Sequence, residues 1–165
     1  MDGATRAFIE ARRRAVLATI DDDGRARLLP ICFALAAEPP ADAAPMPPTP
    51  VALYSPLDEK PKRVRDVRRL ARVRDIEARP DVTLLFDHWS EDWSALGWVR
   101  IQGVATLLEP GGHDADEHAA AIPLLLLETY LVHRLCPRVN PAGARMIVRR
   151  GSEPEGATTG AERVA

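Results

Sequence analysis

Apolar residues in this 165-residue chain fall into short blocks whose period changes along the sequence. Residues 5–14 set Phe8 and Ile9 among arginines, as a short amphipathic helix with an inward apolar side does. Ala15–Ile20 is a compact apolar run suited to a buried strand. Asp21-Asp22-Asp23-Gly24 follows, and Asp-Gly between two apolar blocks predicts a hairpin, because glycine accepts positive φ without strain. The return strand is expected over Ala26–Leu35, interrupted at Pro30. A proline cannot donate to a sheet ladder, so the strand there is expected at an edge, bulged, or facing a ligand.

Further along, Val51–Ser55 reads as a third strand. Residues 61–78 are helical in composition, with Val64, Val67, Leu70, Val73 and Ile76 at every third position. A step of three drifts by about 60° per repeat on a 3.6-residue helix, which predicts a bend near Ala71–Arg74. Pro80 closes the segment. Val82–Asp87 is strand-like, His88–Gly97 a polar loop carrying tryptophan, and Trp98–Leu108 a long strand in which Arg100 and Gln102 alternate with Val99 and Ile101. Residues 114–134 suggest a helix broken at Pro123, and Ala144–Arg149 a last short strand. Antiparallel strands with helices inserted between them imply an α+β fold, mainly β, closed or half-closed as a barrel.

Composition narrows the class. Hydrophobic residues at 46% and charged residues at 28% suit one globular domain, read here as residues 1–150 with a disordered tail over 151–165. The segment 36–50 holds six of the 15 prolines and five alanines, so it reads as an extended or flexible loop without a core. Cys32 and Cys136 stand far apart and form neither a metal-ligand spacing nor a redox pair, so both are expected as reduced residues of a cytoplasmic protein. No leader is expected from the N-terminal residues, and no membrane span from the longest apolar run, Ala119–Leu127, which contains Pro123. A net charge of −2 argues against nucleic acid as a partner. The charge is nevertheless uneven: residues 60–79 carry nine of the 22 Lys and Arg against three acids.

That excess begins where Tyr54-Ser55-Pro56-Leu57-Asp58-Glu59-Lys60-Pro61-Lys62-Arg63 runs from strand through loop into helix, with Pro61 in the favoured first turn. Helix N-termini attract anions, whereas cations crowded there work against the dipole. Lys60, Lys62 and Arg63 are therefore most natural around a bound anion. The plainer reading is a solvated basic face balanced by Asp66, Asp75 and Glu77. Asp87, His88, Glu91 and Asp92 match no ligand spacing and read better as a capped polar turn, so no metal is expected. Trp89, Trp93 and Trp98 read as core or interface residues before they read as a ligand stack. Ser55 and Ser90 cannot be joined to any of His88, His113, His118 or His133 as a hydrolase triad, and catalytic residues stay unassigned.

The order of Leu17-Ala18-Thr19-Ile20-Asp21, Asp23-Gly24-Arg25, Leu29-Pro30-Ile31-Cys32-Phe33, Leu53-Tyr54-Ser55 and Lys60-Pro61-Lys62-Arg63 resembles the pyridoxamine 5'-phosphate oxidase-like, FMN-binding split barrels. Arg68-Arg69-Leu70-Ala71, Val82–His88 and Glu91-Asp92-Trp93 are similar to the branch of probable F420-dependent enzymes, and the resemblance spans residues 6–109. It implies a cytoplasmic homodimer with cofactor sites between subunits. It also implies that Leu29, Pro30 and Ile31 line the ring through their backbone, with Tyr54 and Ser55 nearby and the phosphate on Lys60, Lys62 and Arg63. The expected cofactor is the deazaflavin F420, with FMN as the alternative. The expected activity is hydride transfer to or from a small organic substrate, chemistry that belongs to the cofactor and needs no protein nucleophile. An FMN-dependent oxidase or reductase, and a noncatalytic cofactor-binding protein, are the competing functions. A nucleic-acid binder built on residues 60–79 lacks the aromatic interleaving such a surface uses.

Overall fold

The computed structural model describes residues 1–36, 51–57, 66–111, 113–132 and 145–150. The first helix, α1 (Gly3–Glu10), begins where Asp2 accepts from the Thr5 N–H at 2.8 Å and from the Thr5 hydroxyl at 2.7 Å. Those donors hold the Asp2 carboxyl below its ordinary range. The helix stops short of the expected residue 14: Arg12 folds back, its guanidinium 4.4 Å from the centre of the Phe8 ring and its Nε on the Phe8 carbonyl at 3.2 Å.

Among the described residues seven strands follow, β1 (Ala15–Ile20), β2 (Ala26–Ile31), β3 (Ala34–Leu35), β4 (Ala52–Pro56), β5 (Asp81–His88), β6 (Gly97–Leu108) and β7 (Arg145–Arg150). They form one antiparallel sheet in the order β2-β1-β5-β6-β7-β4-β3. The β1–β2 turn reverses as expected, with Gly24 at φ +80°. Pro30 sits inside β2 opposite Val16, on the end strand of the sheet, where its missing N–H costs least. The interruption expected at Pro30 falls instead at Cys32–Phe33.

That interruption closes the fold. β2 and β3 are the two ends of the sheet, yet only Cys32 and Phe33 separate them in sequence. Three virtual bonds span at most ~11 Å, so the sheet must curl until its ends meet. No ladder joins β2 to β3, and the barrel is split along that seam.

Alternation then sorts the side chains. The inner face gathers Leu17, Ile31, Leu53, Leu84, Phe86, Ile101, Ala105 and Val148, together with Ile9 of α1 and Val73 and Ile76 of a second helix, α2 (Ala71–Ala78). Phe33 at the seam meets Phe86 edge-on, with centroids 4.9 Å apart. On the outer face, Ala34, Ala52, Tyr54, Leu108 and Ile147 are covered by Ala121 and Leu125 of a third helix, α3 (Ala115–Val132).

Two helical expectations are corrected. The basic segment is not one bent helix among its described residues: a 3-10 turn (Val67–Arg69) precedes α2, and Leu70 between them is extended with ψ 133°. Leu70 serves both as C-cap of the turn and as N-cap of α2, so the three-residue apolar step changes axis there. The third helix, α3, expected to break at Pro123, runs unbroken through it. Pro123 and Ala119 are both exposed, so the carbonyl freed by the missing N–H can meet water. The segment 37–50, Cys136, His133 and the tail 151–165 lie outside the described residues, as do Lys60, Lys62 and Arg63.

Candidate functional site

The features that bear on function converge on the split end of the barrel and the sheet face beside it. The end strand β2 pairs with β1 on one side only, so alternate residues turn their backbone N–H and C=O groups toward the seam. Leu29 and Ile31 point inward, half-buried and buried, while Pro30 between them is exposed on the outer face. Tyr54 pairs with Ala34, three residues beyond Ile31, so the seam brings the β2 and β4 parts of the sequence-predicted site toward each other. Ser55 is buried on the inner face.

Tyr54 itself is turned away from the barrel interior, under α3. Its hydroxyl donates to Glu117 Oε1 at 3.3 Å, and the other Glu117 oxygen accepts from Arg149 of β7. Burial first, then the Glu117 charge and hydrogen bond, push the phenol above its ordinary value, against the opposing pull of Arg149. Tyr54 is thus a neutral donor that fastens helix to sheet.

A second polar cluster lies at the turn end of the β1–β2 hairpin. Asp75 of α2 is buried, and one of its oxygens accepts from the Thr19 hydroxyl at 2.8 Å and from Arg27 Nε at 2.7 Å. The Arg27 guanidinium also lies 3.7 Å from Asp21, whose carboxylate accepts from the Asp23 and Arg25 N–H groups in the turn. Arg79, following α2, donates to the Asp21 carbonyl. The sequence reading of Asp75 as a surface partner of the basic helix is therefore corrected. The clue was Thr19, a polar residue at an inward position of an apolar strand.

The surface pairing expected of that helix is carried by Arg68, which bonds Glu77 and Glu109, each at 2.6 Å. Glu117 and Arg149 had no sequence signal, because their partnership depends on how α3 crosses β7.

Beside the seam, the outer face of β2, β1, β5 and β6 as far as Val104 is left uncovered by the described residues. Pro30, Val16, Leu85 and Arg100 form one row across it, and Leu28, Ala18, Thr83 and Gln102 the next. Leu28 is 65% exposed, Leu85 37%, Trp98 40% and Val104 40%. At its margin Trp89 and Trp93 are 77% and 75% exposed, so of the core or interface packing expected for these tryptophans, the core half does not hold for these two among the described residues. Their loop is nonetheless ordered by its own bonds. Asp92 accepts from the Ser94 N–H at 2.9 Å and from its hydroxyl at 2.7 Å, which hold its carboxyl below the ordinary range. This is the capped polar turn expected there.

A family model described as pyridoxamine 5'-phosphate oxidase matches residues 1–123. The chain belongs to that family of FMN-binding split barrels. No curated protein matches it. Among solved structures, the pyridoxamine 5'-phosphate oxidase-like chain is similar to a conserved hypothetical protein of Mycobacterium tuberculosis (18% identity, TM-score 0.55, covering 90% of this chain and 79% of that one). It is also similar to HutZ, a heme storage protein of Vibrio cholerae (12%, 0.57, 93% and 91%), and to an FAD-binding protein of Mesorhizobium loti (15%, 0.54, 92% and 89%). At these identities the likeness is one of fold. The split barrel of the oxidase-like family is the architecture derived above from the strand order, and the solved structures that share this fold include one described as a heme storage protein and one as an FAD-binding protein.

Proposed function

We propose that the chain is a flavin- or deazaflavin-dependent oxidoreductase that works in the cytoplasm as a homodimer, with F420 as the first cofactor to test and FMN as the alternative. The observation that supports this reading best is the pairing of an end strand, β2, with an uncovered apolar face in a chain of this family. A flat, partly polar ring suits that combination. The free backbone groups of Leu29–Ile31 offer hydrogen bonds to its polar edge, and the apolar row through Pro30, Val16 and Leu85 offers cover for its carbon skeleton.

When bound, such a ring takes up and gives back hydride, so the protein need supply only binding, orientation and exclusion of water. Leu29, Pro30 and Ile31 would line the ring, with Tyr54 and Ser55 behind the seam. Lys60, Lys62 and Arg63 would hold the phosphate as charged donors. A second copy seated on the uncovered face would shut out water and complete the pocket.

Titration of the purified protein with FMN and with F420, each followed by ring fluorescence, tests the proposal. Each of Lys60→Ala, Lys62→Ala and Arg63→Ala is expected to weaken binding by about 10- to 100-fold, as the loss of one charged hydrogen bond to phosphate implies. Arg68→Ala, whose guanidinium is already committed to Glu77 and Glu109, is expected to leave affinity unchanged. Equal losses at all four positions would reduce the site to diffuse positive charge. Binding of both cofactors without turnover of any reducible substrate would favour the noncatalytic reading.

A further inference from the structure

The Asp75 cluster has a place in the fold that suits more than stability. As an end strand, β2 is paired by β1 alone, and Pro30 removes one of its backbone donors. What holds the start of β2 from inside the barrel is the Arg27 side chain, whose Nε donates to Asp75 at 2.7 Å. Asp75 takes Thr19 of β1 on the same oxygen at 2.8 Å, so one carboxylate grips two adjacent strands at opposed positions of their ladder. Only 6% of the Asp75 side chain is exposed, against 36% for Arg27. The bond therefore runs from a fixed, desolvated acceptor to a strand that is otherwise free on one side. Arg27 precedes Leu29 by two residues on the same inward face.

We infer that Asp75, acting through Arg27, is a positioning residue that sets where the Leu29–Ile31 backbone lies for the ring of a bound cofactor. The inference rests on the proposed lining of the ring by those residues. Pulling on β2 at Arg27 fixes its distance from β1, and with it the width of the seam three to four residues on. Charged hydrogen bonds are short and directional, which suits them to hold a position. Beyond its ladder to β1, β2 is held inside the barrel by Ile31 at its far end and by Arg27 at its start, so the Arg27 bond fixes the end that the core does not.

The test uses the purified chain and four variants: Asp75→Asn, Arg27→Leu, Thr19→Val and Leu125→Ala. Arg27→Leu guards against an Asp75 variant that fails to fold, since Arg27 is one-third exposed. Leu125→Ala is the control for a general loss of stability, being buried under α3 in the other half of the barrel. The probes are FMN and riboflavin, with F420 and its phosphate-free ring alcohol in parallel. Asp75→Asn and Arg27→Leu are expected to weaken binding of the phosphate-bearing and phosphate-free forms alike by about tenfold, because the ring and not the phosphate loses its alignment. The visible circular dichroism of the bound ring is expected to change in the same two variants. Thr19→Val leaves Arg27 bonded and should keep wild-type affinity, as should Leu125→Ala.

Wild-type affinity and dichroism in both Asp75→Asn and Arg27→Leu would overturn the inference while leaving the proposed function standing. So would a loss confined to the phosphate-bearing forms, or an equal loss in Leu125→Ala. A wild-type chain that binds none of the four probes would overturn the proposed function and the inference together.

Discussion

The outer face of the barrel is built twice from the same kinds of strand and finished in two ways. Over β7, β4 and β3, α3 lies across the sheet, and Tyr54, Leu108, Leu125 and Ile147 are buried to 7% exposure or less. Over β2, β1, β5 and β6 as far as Val104 none of the described residues covers the outer face, and Leu28, Leu85, Trp98 and Val104 stand 37–65% exposed, whereas Leu108 at the end of β6 lies under α3. The composition of the two faces does not explain this, for both are led by aliphatic and aromatic residues. What differs is the supply of a helix. An apolar face that the described residues leave exposed, rimmed by Arg100, Gln102 and Asp87, is of the kind that interaction surfaces present. On the proposed function, the covered half completes the fold and the exposed half receives partner and ligand.

Substitutions break this comparison most strongly on the covered side. Leu125→Ala empties a site under α3 that is 1% exposed, and is expected to cost about 3–5 kcal/mol of folding stability. Chemical denaturation read by circular dichroism measures it; a cost under about 1 kcal/mol would mean that α3 is a loose cover.

On the bare side the order of effects reverses. Leu85→Arg is expected to leave the stability of the isolated fold within about 0.5 kcal/mol, as exposed positions do. The same change should weaken self-association by about a hundredfold, the effect of a charge at the centre of a desolvated patch. Concentration-dependent sedimentation separates the two, and an unaltered assembly would place the interface elsewhere.

The smallest expected effect sharpens the role of Tyr54. Removing its hydroxyl with Tyr54→Phe should cost about 1 kcal/mol, because Glu117 keeps Arg149. The folded phenol titrates above its ordinary value of 10.0, so the neutral form is favoured by folding. Its contribution is present below that value and is lost as pH rises through the folded value. Wild type should therefore lose stability on the alkaline side, and Tyr54→Phe should show a flatter limb in thermal unfolding between pH 9 and about 11.

Most of the frame was legible in the residues, because strand alternation and turn chemistry act locally. Ala15–Ile20 appears with the expected bounds, and Asp23-Gly24 makes the turn its dipeptide foretold. Of the edge, bulge or ligand contact expected at Pro30, the sheet order bears out the edge, but the break beyond it was not foreseen. That break follows from the curl of the whole sheet, which brings Ile31 and Ala34 to opposite ends of one ladder order. Pro123 misled because a proline's cost inside a helix depends on whether the freed carbonyl finds water. Of the candidate site, the strand carrying Leu29–Ile31 was legible in the residues, and the side-chain clusters beside it were not. Asp75 looked like one more acid on a charged helix until α2 was seen to turn it onto Thr19 and Arg27. Glu117 and Arg149 meet only because α3 crosses β7 there. Lys60, Lys62 and Arg63 keep the standing their charge pattern earned them, as residues to be tested in solution.

The central claim is that the uncovered half of the barrel is an interface that completes the cofactor site. Light scattering of the purified chain across micromolar concentrations, with and without FMN, tests it most directly. The account predicts a mass of twice the 18.1 kDa protomer throughout, and co-elution of the flavin with the dimer. A protomer mass at every concentration, with FMN bound to it as tightly as to any larger species, would contradict the account.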